Sequence, residues 1–323
     1  MSRMPRAQRA ADPYRVWTSA RGSAHTRTMR PHRASFTAAF VATCRGLSPL
    51  LPKNVHLVDD PLGARVAGRA FASVVDGLAQ SPTLVRALAW VPLAPLFPWA
   101  VYMQVRTKAL DDALLGFVAA GGRQVVILGA GFDARASRLR EALGGAMVYE
   151  VDHPATQAKK RALFADAPGT ARYIAWDFER DAMAALPARL AAEGLDPAAP
   201  TFTLWEGVTM YLSAEAIAAT LDAVRGYSAD GSQLAFNYVA RREGGAGAAV
   251  ALVGAVTSLV GEPFRSSFDP SGLAALLAAH GFSVLRDEGF DALAGSLLGP
   301  PYPAIVRGGR RIALVERTAT AGV

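Results

Sequence analysis

The chain has 323 residues, 51% hydrophobic and 19% charged, which excludes wholesale disorder and suits one large α/β domain with appendages. Its formal net charge of +7 resides in residues 1–34, where eight Arg face one acid, Asp12, and everything from Ser35 onward sums to zero. A neutral body without interleaved aromatic and basic residues argues against a nucleic-acid partner.

The Arg-rich head, residues 1–34, reads as a disordered arm: a solvated tail, or an over-extended start with Met29 as the true one. It lacks the apolar run of a secretory signal, and its amphipathic Arg/Ser pattern is weak. Residues 35–120 read as an N-terminal helical lid or cap. SFTAAFVATCRG is a short helix ending at Gly46, DDPLGARVAGRAFASVVDGLA contains another, and VRTKALDDALLGFVAAGG is a third that stops at Gly121-Gly122. Cys44, the only cysteine, excludes an intramolecular disulfide and a Cys-rich zinc site. A reducing, cytoplasmic setting with no metal is therefore expected. The run ALAWVPLAPLFPWAVYM, residues 87–103, has the length of a membrane span, but Pro92, Pro95 and Pro98 would break such a helix repeatedly. No span is expected, and the run reads as a lid or pocket wall.

From residue 121 to the end the pattern changes to short apolar runs, QVVILGAG, MVYEVD, RYIAWDF, FTLWEG and QLAFNYVA, separated by helical segments such as PATQAKKRALFA and SAEAIAATLDAVRGY. Such alternation predicts parallel strands under covering helices, a doubly wound α/β sheet. RREGGAGAAVALVGAVTSLVGEP, residues 241–263, reads as a mobile helix over the site. DPSGLAALLAAHG is a helix capped by Asp269, opened by Pro270 and ended by Gly281. FSVLRDEGF and RRIALVERT then follow as two strands joined by a Pro/Gly-rich loop with no helix, hence antiparallel neighbours. Seven strands with an antiparallel final pair outline a Rossmann-like class I methyltransferase sheet.

The first strand runs into Gly129-Ala-Gly131-Phe-Asp133-Ala134, which fits the loose dinucleotide pattern G-x-G-x-x-A. Glycines there let a ligand approach the backbone, although a tight turn without a ligand has the same form. Asp152 follows Gly131 by twenty-one residues, where a Rossmann-like unit puts the acid that binds ribose hydroxyls. Glu150 has the same strand parity and competes with it. His153 reads as a cap or a solvent-facing imidazole, since Pro154 opens a helix. Asp177, at the end of the third strand, can accept from an adenine amino group while Phe178 gives its amide and an apolar face. An N-cap role is equally open there, with Glu179 and Asp181 decorating the next segment. Glu206 and Gly207 end the fourth strand, where a carboxylate can pair with a ligand ammonium or equally be an ordinary helix-start acid.

VVILGAGFDARASRL, VYEVDHPATQAKKRAL, YIAWDFERD, LWEGVTMYLSAEAI and GEPFRSSFDPSGLAALLAAHGF closely resemble the bacterial branch of the leucine carboxyl methyltransferase-like family, S-adenosylmethionine-dependent O-methyltransferases. The likeness covers residues 35–320 and not the head. It implies that Arg106 binds the methionine carboxylate of S-adenosyl-L-methionine. It also implies Gly129 at the methionine turn, Asp152 on the ribose, Asp177 and Phe178 at the adenine, and Glu206 near the amino group.

The expected function is O-methylation of an apolar small molecule. A carboxylate acceptor is already ionised at neutral pH and needs no general base, whereas a hydroxyl does. Bases are scarce: His25 and His32 lie in the head, His56 and His153 read as structural, and His280 ends a helix. Tyr211 and Tyr238 are the candidate catalytic groups, and with Asn237 and Arg241 they can orient the acceptor. Two rival readings are an NAD(P)-dependent oxidoreductase and a non-catalytic, adenosine-binding or membrane-peripheral protein. Oligomeric state is not legible in the sequence.

Overall fold

The computed structural model describes residues 36–167, 169, 171–178, 180–240, 264–302 and 309–318. The Arg-rich head, Glu179, Arg241 and the expected helix over 241–263 lie outside these residues.

The N-terminal part is helical: α1 (Phe36–Gly46), α2 (Pro61–Val66), α3 (Arg69–Ala79), α4 (Thr83–Leu93) and α5 (Phe97–Ala119). The single helix expected within 59–79 is two, because Gly68 takes φ +125° between α2 and α3. The prolines of the apolar run interrupt the chain once, not repeatedly. Pro92 lies in the last turn of α4, Pro95 in a 3-10 turn at Ala94–Leu96, and Pro98 in the first turn of α5, where its missing N–H costs no helical bond. By length and composition alone, Thr83–Ala119 is long and apolar enough to cross a membrane.

Seven strands follow: β1 (Gln124–Leu128), β2 (Met147–Asp152), β3 (Ala171–Ala175), β4 (Thr201–Trp205), β5 (Gln233–Val239), β6 (Phe282–Gly289) and β7 (Arg310–Arg317). They form one sheet in the order β3-β2-β1-β4-β5-β7-β6. The pairings from β3 to β5 are parallel, and β7 runs antiparallel to both β5 and β6. The covering helices are α6 (Arg135–Arg138), α7 (Pro154–Leu163), α8 (Leu186–Ala192), α9 (Ala214–Tyr227), α10 (Pro270–Ala279) and α11 (Phe290–Leu298). The helix α11 corrects one expectation: β6 and β7 are antiparallel neighbours, as read, but a helix joins them. Antiparallel pairing permits a short loop without demanding one.

Period-two alternation splits the core between the two faces of the sheet. Val125 and Ile127 of β1 share a cluster with α5, α1, Phe202 and Leu204, while Val126 and Leu128 join Trp205, Phe236 and the residues of α9 and α10. Because α5 is packed into the first cluster over most of its length, together with residues of α1, these two helices share a core with the sheet. The carboxyl ends of β1, β2, β3, β4 and β5 point to one edge, where an open α/β sheet binds ligands.

Candidate active site

At that edge the β1 turn is tied to β2 by Gly129 and Ala130, whose amides donate to the carbonyl of Val151 at 2.9 and 3.2 Å. Gly129 has φ +66°, and a Cβ there would stand 2.7 Å from Cγ2 of Val208. Asp152, at the end of β2, accepts from the amide of Gly131 on one oxygen and from that of His153 at 2.5 Å on the other. Trp176 donates its amide to the Asp152 carbonyl at 2.9 Å, which draws the end of β3 alongside. His153 caps α7 through Nδ1, as expected, and its Nε2 reaches Asp177 at 3.7 Å. Phe178 is half-buried beside it.

On the other side of the turn, Glu206 and Gly207 follow β4. Arg106, from the middle of α5, donates through Nε to Glu206 Oε1 at 2.6 Å, and Arg135 donates to Oε2 at 2.7 Å. Gly207 lies against the Arg106 guanidinium and donates its amide to Asn237 Oδ1 at 2.6 Å. The rim therefore runs Asp177, His153, Asp152, Gly131, Gly129, Gly207 and Arg106, with Glu206 at its end.

Beneath Glu206 lies an ionic cluster that sequence reasoning missed. Arg135 also pairs with Asp133 and, through Nε, with Asp111 at 2.7 Å; Arg138 donates to Asp111 at 2.6 and 3.0 Å. Arg45 pairs with Asp60 at 2.8 Å and donates to the Phe132 carbonyl at 2.9 Å. Burial alone would raise the Glu206 carboxyl, but Arg135, Arg106 and Arg45 outweigh it and hold it well below the usual carboxylate range. Asp133 is lowered in the same way: burial opposes the shift, and Arg135 and Arg45 prevail. The available signal was chemical: Arg135 and Arg138 stand three apart, two and five residues after Asp133, and Asp111 is a charge within an apolar helix.

Several candidate residues are placed differently from expectation. Asp133 does not face the rim, because both its oxygens are taken by Arg135. Glu150, the rival of Asp152, is buried on Lys160 at 2.5 Å, and burial pushes its carboxyl up to about 7 against the pull of that lysine. Tyr238 alternates to the opposite face from Asn237, and its hydroxyl donates to Asp287 at 2.7 Å. Burial and that bond push the hydroxyl far above its usual range. Tyr238 is therefore not brought to the rim. Tyr211 lies four residues beyond Gly207 in a 3-10 turn, with its ring 5.6 Å from Phe264. Arg241 lies outside the described residues.

The donor set fits a zwitterionic, nucleoside-bearing ligand. Arg106 offers a guanidinium, Glu206 a carboxylate and Asp152 a diol acceptor. Two buried donors beside Glu206, Nη2 of Arg135 and Nδ2 of Asn237, have no hydrogen-bond partner among the described residues. An oxygen-rich ligand would satisfy such donors.

The family model described as "Leucine carboxyl methyltransferase" matches residues 38–225. A protein of Mycobacterium sp. (strain JLS), named "Putative S-adenosyl-L-methionine-dependent methyltransferase", is 39% identical over 211 residues, which cover 63% of this chain and 66% of that protein. One of Mycobacterium avium (strain 104) with the same name is 37% identical over 216 residues, with the same coverage. The chain thus spans about two thirds, 66%, of the length of these relatives. Among solved structures, a duf574 family protein from Streptomyces avermitilis superposes with a TM-score of 0.56 at 15% identity, covering 89% of this chain and 100% of that one. A structure titled as a putative methyltransferase from Thermobifida fusca YX gives 0.54 at 18%, covering 85% and 94%. At such identities the likeness concerns the fold.

Proposed function

The chain belongs to the leucine carboxyl methyltransferase family, and on that premise we propose that it is an S-adenosyl-L-methionine-dependent methyltransferase acting on a small molecule. Its fold is that of class I methyltransferases.

The observation that carries the proposal is the Arg106–Glu206 pair at one end of the rim, with Asp152 and Asp177 toward the other. An α-amino acid presents the two charges that match this pair, its carboxylate to Arg106 and its ammonium to Glu206. Arg106 suits the carboxylate because a guanidinium is a planar, bidentate partner. Asp152 accepts from ribose hydroxyls, and Asp177 with Phe178 flanks the adenine. A nicotinamide dinucleotide would bring a pyrophosphate to the turn and leave Arg106 and Glu206 without a matching zwitterion. When bound, S-adenosyl-L-methionine supplies an electrophilic methyl group for in-line displacement. The chain's own task is to align the acceptor oxygen and exclude water.

We further propose an ionised carboxylate on an apolar molecule as acceptor. Of the described histidines, His56 pairs with Asp59 and His280 with Asp222, away from the rim, and His153, on the rim, uses Nδ1 to cap α7. No general base is required for a carboxylate, and Tyr211 and Asn237 remain to orient it. Met210, Val239, Tyr211 and Phe264 form a small apolar cluster next to Gly207 and Asn237, which supports an apolar acceptor.

Calorimetric titration with S-adenosylhomocysteine beside NADH tests the cofactor. Micromolar binding of the former, abolished in Asp152→Ala, is the expected result. Binding of NADH alone, or of neither, would overturn the proposal. Binding without turnover across a panel of apolar carboxylic acids would overturn the acceptor reading and leave the cofactor intact.

A further inference from the structure

We propose that α4 is a membrane-docking helix and that its partner is an anionic bilayer surface. This inference is independent of methyl transfer.

The helix α4, TLVRALAWVPL, presents Leu84, Leu88 and Val91 at 71%, 60% and 72% exposure, and Val74 of the neighbouring α3 is exposed at 58%. Side chains of this size are ordinarily withdrawn from water, and a contiguous exposed group marks an interaction surface. Its main neighbours are α3 and the turn at Ala94–Leu96, so it stands off the α/β body. Beyond that turn α5 enters the core, with Ala100, Val101, Tyr102 and Met103 all buried, and the folded chain cannot thread a bilayer there. The exposed helix has 11 residues, about 16 Å at 1.5 Å per residue, against a hydrocarbon thickness of ~30 Å. It is too short to span and suits a helix lying in the interface.

Charge selects the occupant. From Pro82 to Trp99 the only charged residue is Arg86. Residues 1–34 add eight Arg against one acid, and they join the fold at α1. Phe40, about one turn into α1, packs edge-on against Trp99 at 5.7 Å, directly beyond the α4–α5 turn. The helix α1, to which the basic segment is joined in sequence, thus packs near the point where the apolar helix leaves the body. An apolar helix and a polybasic segment are the two signals that together hold a protein on anionic lipid. Two copies meeting through this face would bring like charges together, which argues against a second copy as the occupant.

Sedimentation of the full chain with vesicles tests this. Binding to equimolar phosphatidylglycerol–phosphatidylcholine vesicles is expected, at least about tenfold weaker on pure phosphatidylcholine and weaker at high salt. The double variant Leu88→Glu, Val91→Glu, whose side chains leave the rim untouched, should lose about tenfold or more on the anionic vesicles. Its retained binding of S-adenosylhomocysteine, or its unchanged circular dichroism should the cofactor proposal fail, reports an intact fold. The proposal is overturned if the wild type stays in solution with anionic vesicles, or if the double variant pellets as well as the wild type. It is also overturned if sedimentation velocity shows a dimer that the variant converts to monomer while vesicles bind neither.

Discussion

Glu206 is the residue on which the rim's electrostatics turn. Its carboxylate is buried, and removing one partner of a buried ion pair typically costs about 3–5 kcal/mol because a charge is left uncompensated. The sign of its pH dependence follows from its lowered value. Between its folded and unfolded pKa the native state binds fewer protons than the unfolded one, so stability rises with pH in that interval. The contribution of Glu206, and that of Asp133 likewise, is complete above about pH 4.5 and lost as pH falls. Glu150 acts in the opposite sense: its carboxyl is raised from 4.5 to about 7, so its contribution declines as pH climbs through that window. Melting followed by circular dichroism from pH 3 to 8 should therefore show an acid limb that Glu206→Gln flattens. An unchanged limb in that variant would remove Glu206 from the account. At this scale the residues themselves singled out Gly129, Gly131, Asp152 and Glu206, and the family resemblance singled out Arg106; the ion pair that joins Arg106 to Glu206 is a feature of the fold. The sequence did not announce Arg135 or Asp111, because charges at helix starts and on helix faces are ordinarily solvated, and only tertiary packing turned these inward.

Among the elements, the β1 turn carries the sharpest geometric demand. Gly129 and Gly144 both have left-handed φ, +66° and +56°, yet a Cβ at Gly129 meets the stiff side chain of Val208 while one at Gly144 meets open space. The left-handed backbone alone costs an L-residue about 1–2 kcal/mol. Gly144→Ala should lose about that much stability and keep its affinity for S-adenosylhomocysteine. Gly129→Ala should lose more and bind at least about tenfold more weakly, because Val208 and the loop carrying Glu206 and Gly207 must move. Equal losses of affinity in the two variants would show that the turn is merely a turn. Elements were legible where a single signal governs them. Ser213 and Asp269 cap their helices through side-chain oxygens, and apolar runs mark the strands. The helix α11 was not, since FDALAGSLL is short, contains glycine and abuts a Pro/Gly-rich loop. The placement of β7 between β5 and β6 was equally hidden, because strand order is decided by long-range pairing.

For the whole molecule, the rim draws on parts that only the finished fold brings together. Arg106 comes from α5 in one core, Asp152 and Glu206 from the ends of β2 and β4, and Asn237 from β5. A ligand that bridges them binds the native chain and not the unfolded one, so it must stabilise the fold by mass action. At a concentration one hundred times its dissociation constant that amounts to about 2.7 kcal/mol. Each kcal/mol raises the melting temperature of a 150–250-residue domain by about 2–4 °C and that of a longer chain by less, so S-adenosylhomocysteine should raise it by roughly 4–5 °C. NADH at equal concentration should not. Arg106→Ala separates binding from folding, because Glu206 keeps Arg135 as a partner when Arg106 is removed. That variant should still melt cooperatively, with its shift in S-adenosylhomocysteine reduced by half or more. A full shift in Arg106→Ala would mean that the ligand's carboxylate is held elsewhere, and that Arg106 serves only to keep Glu206 ionised.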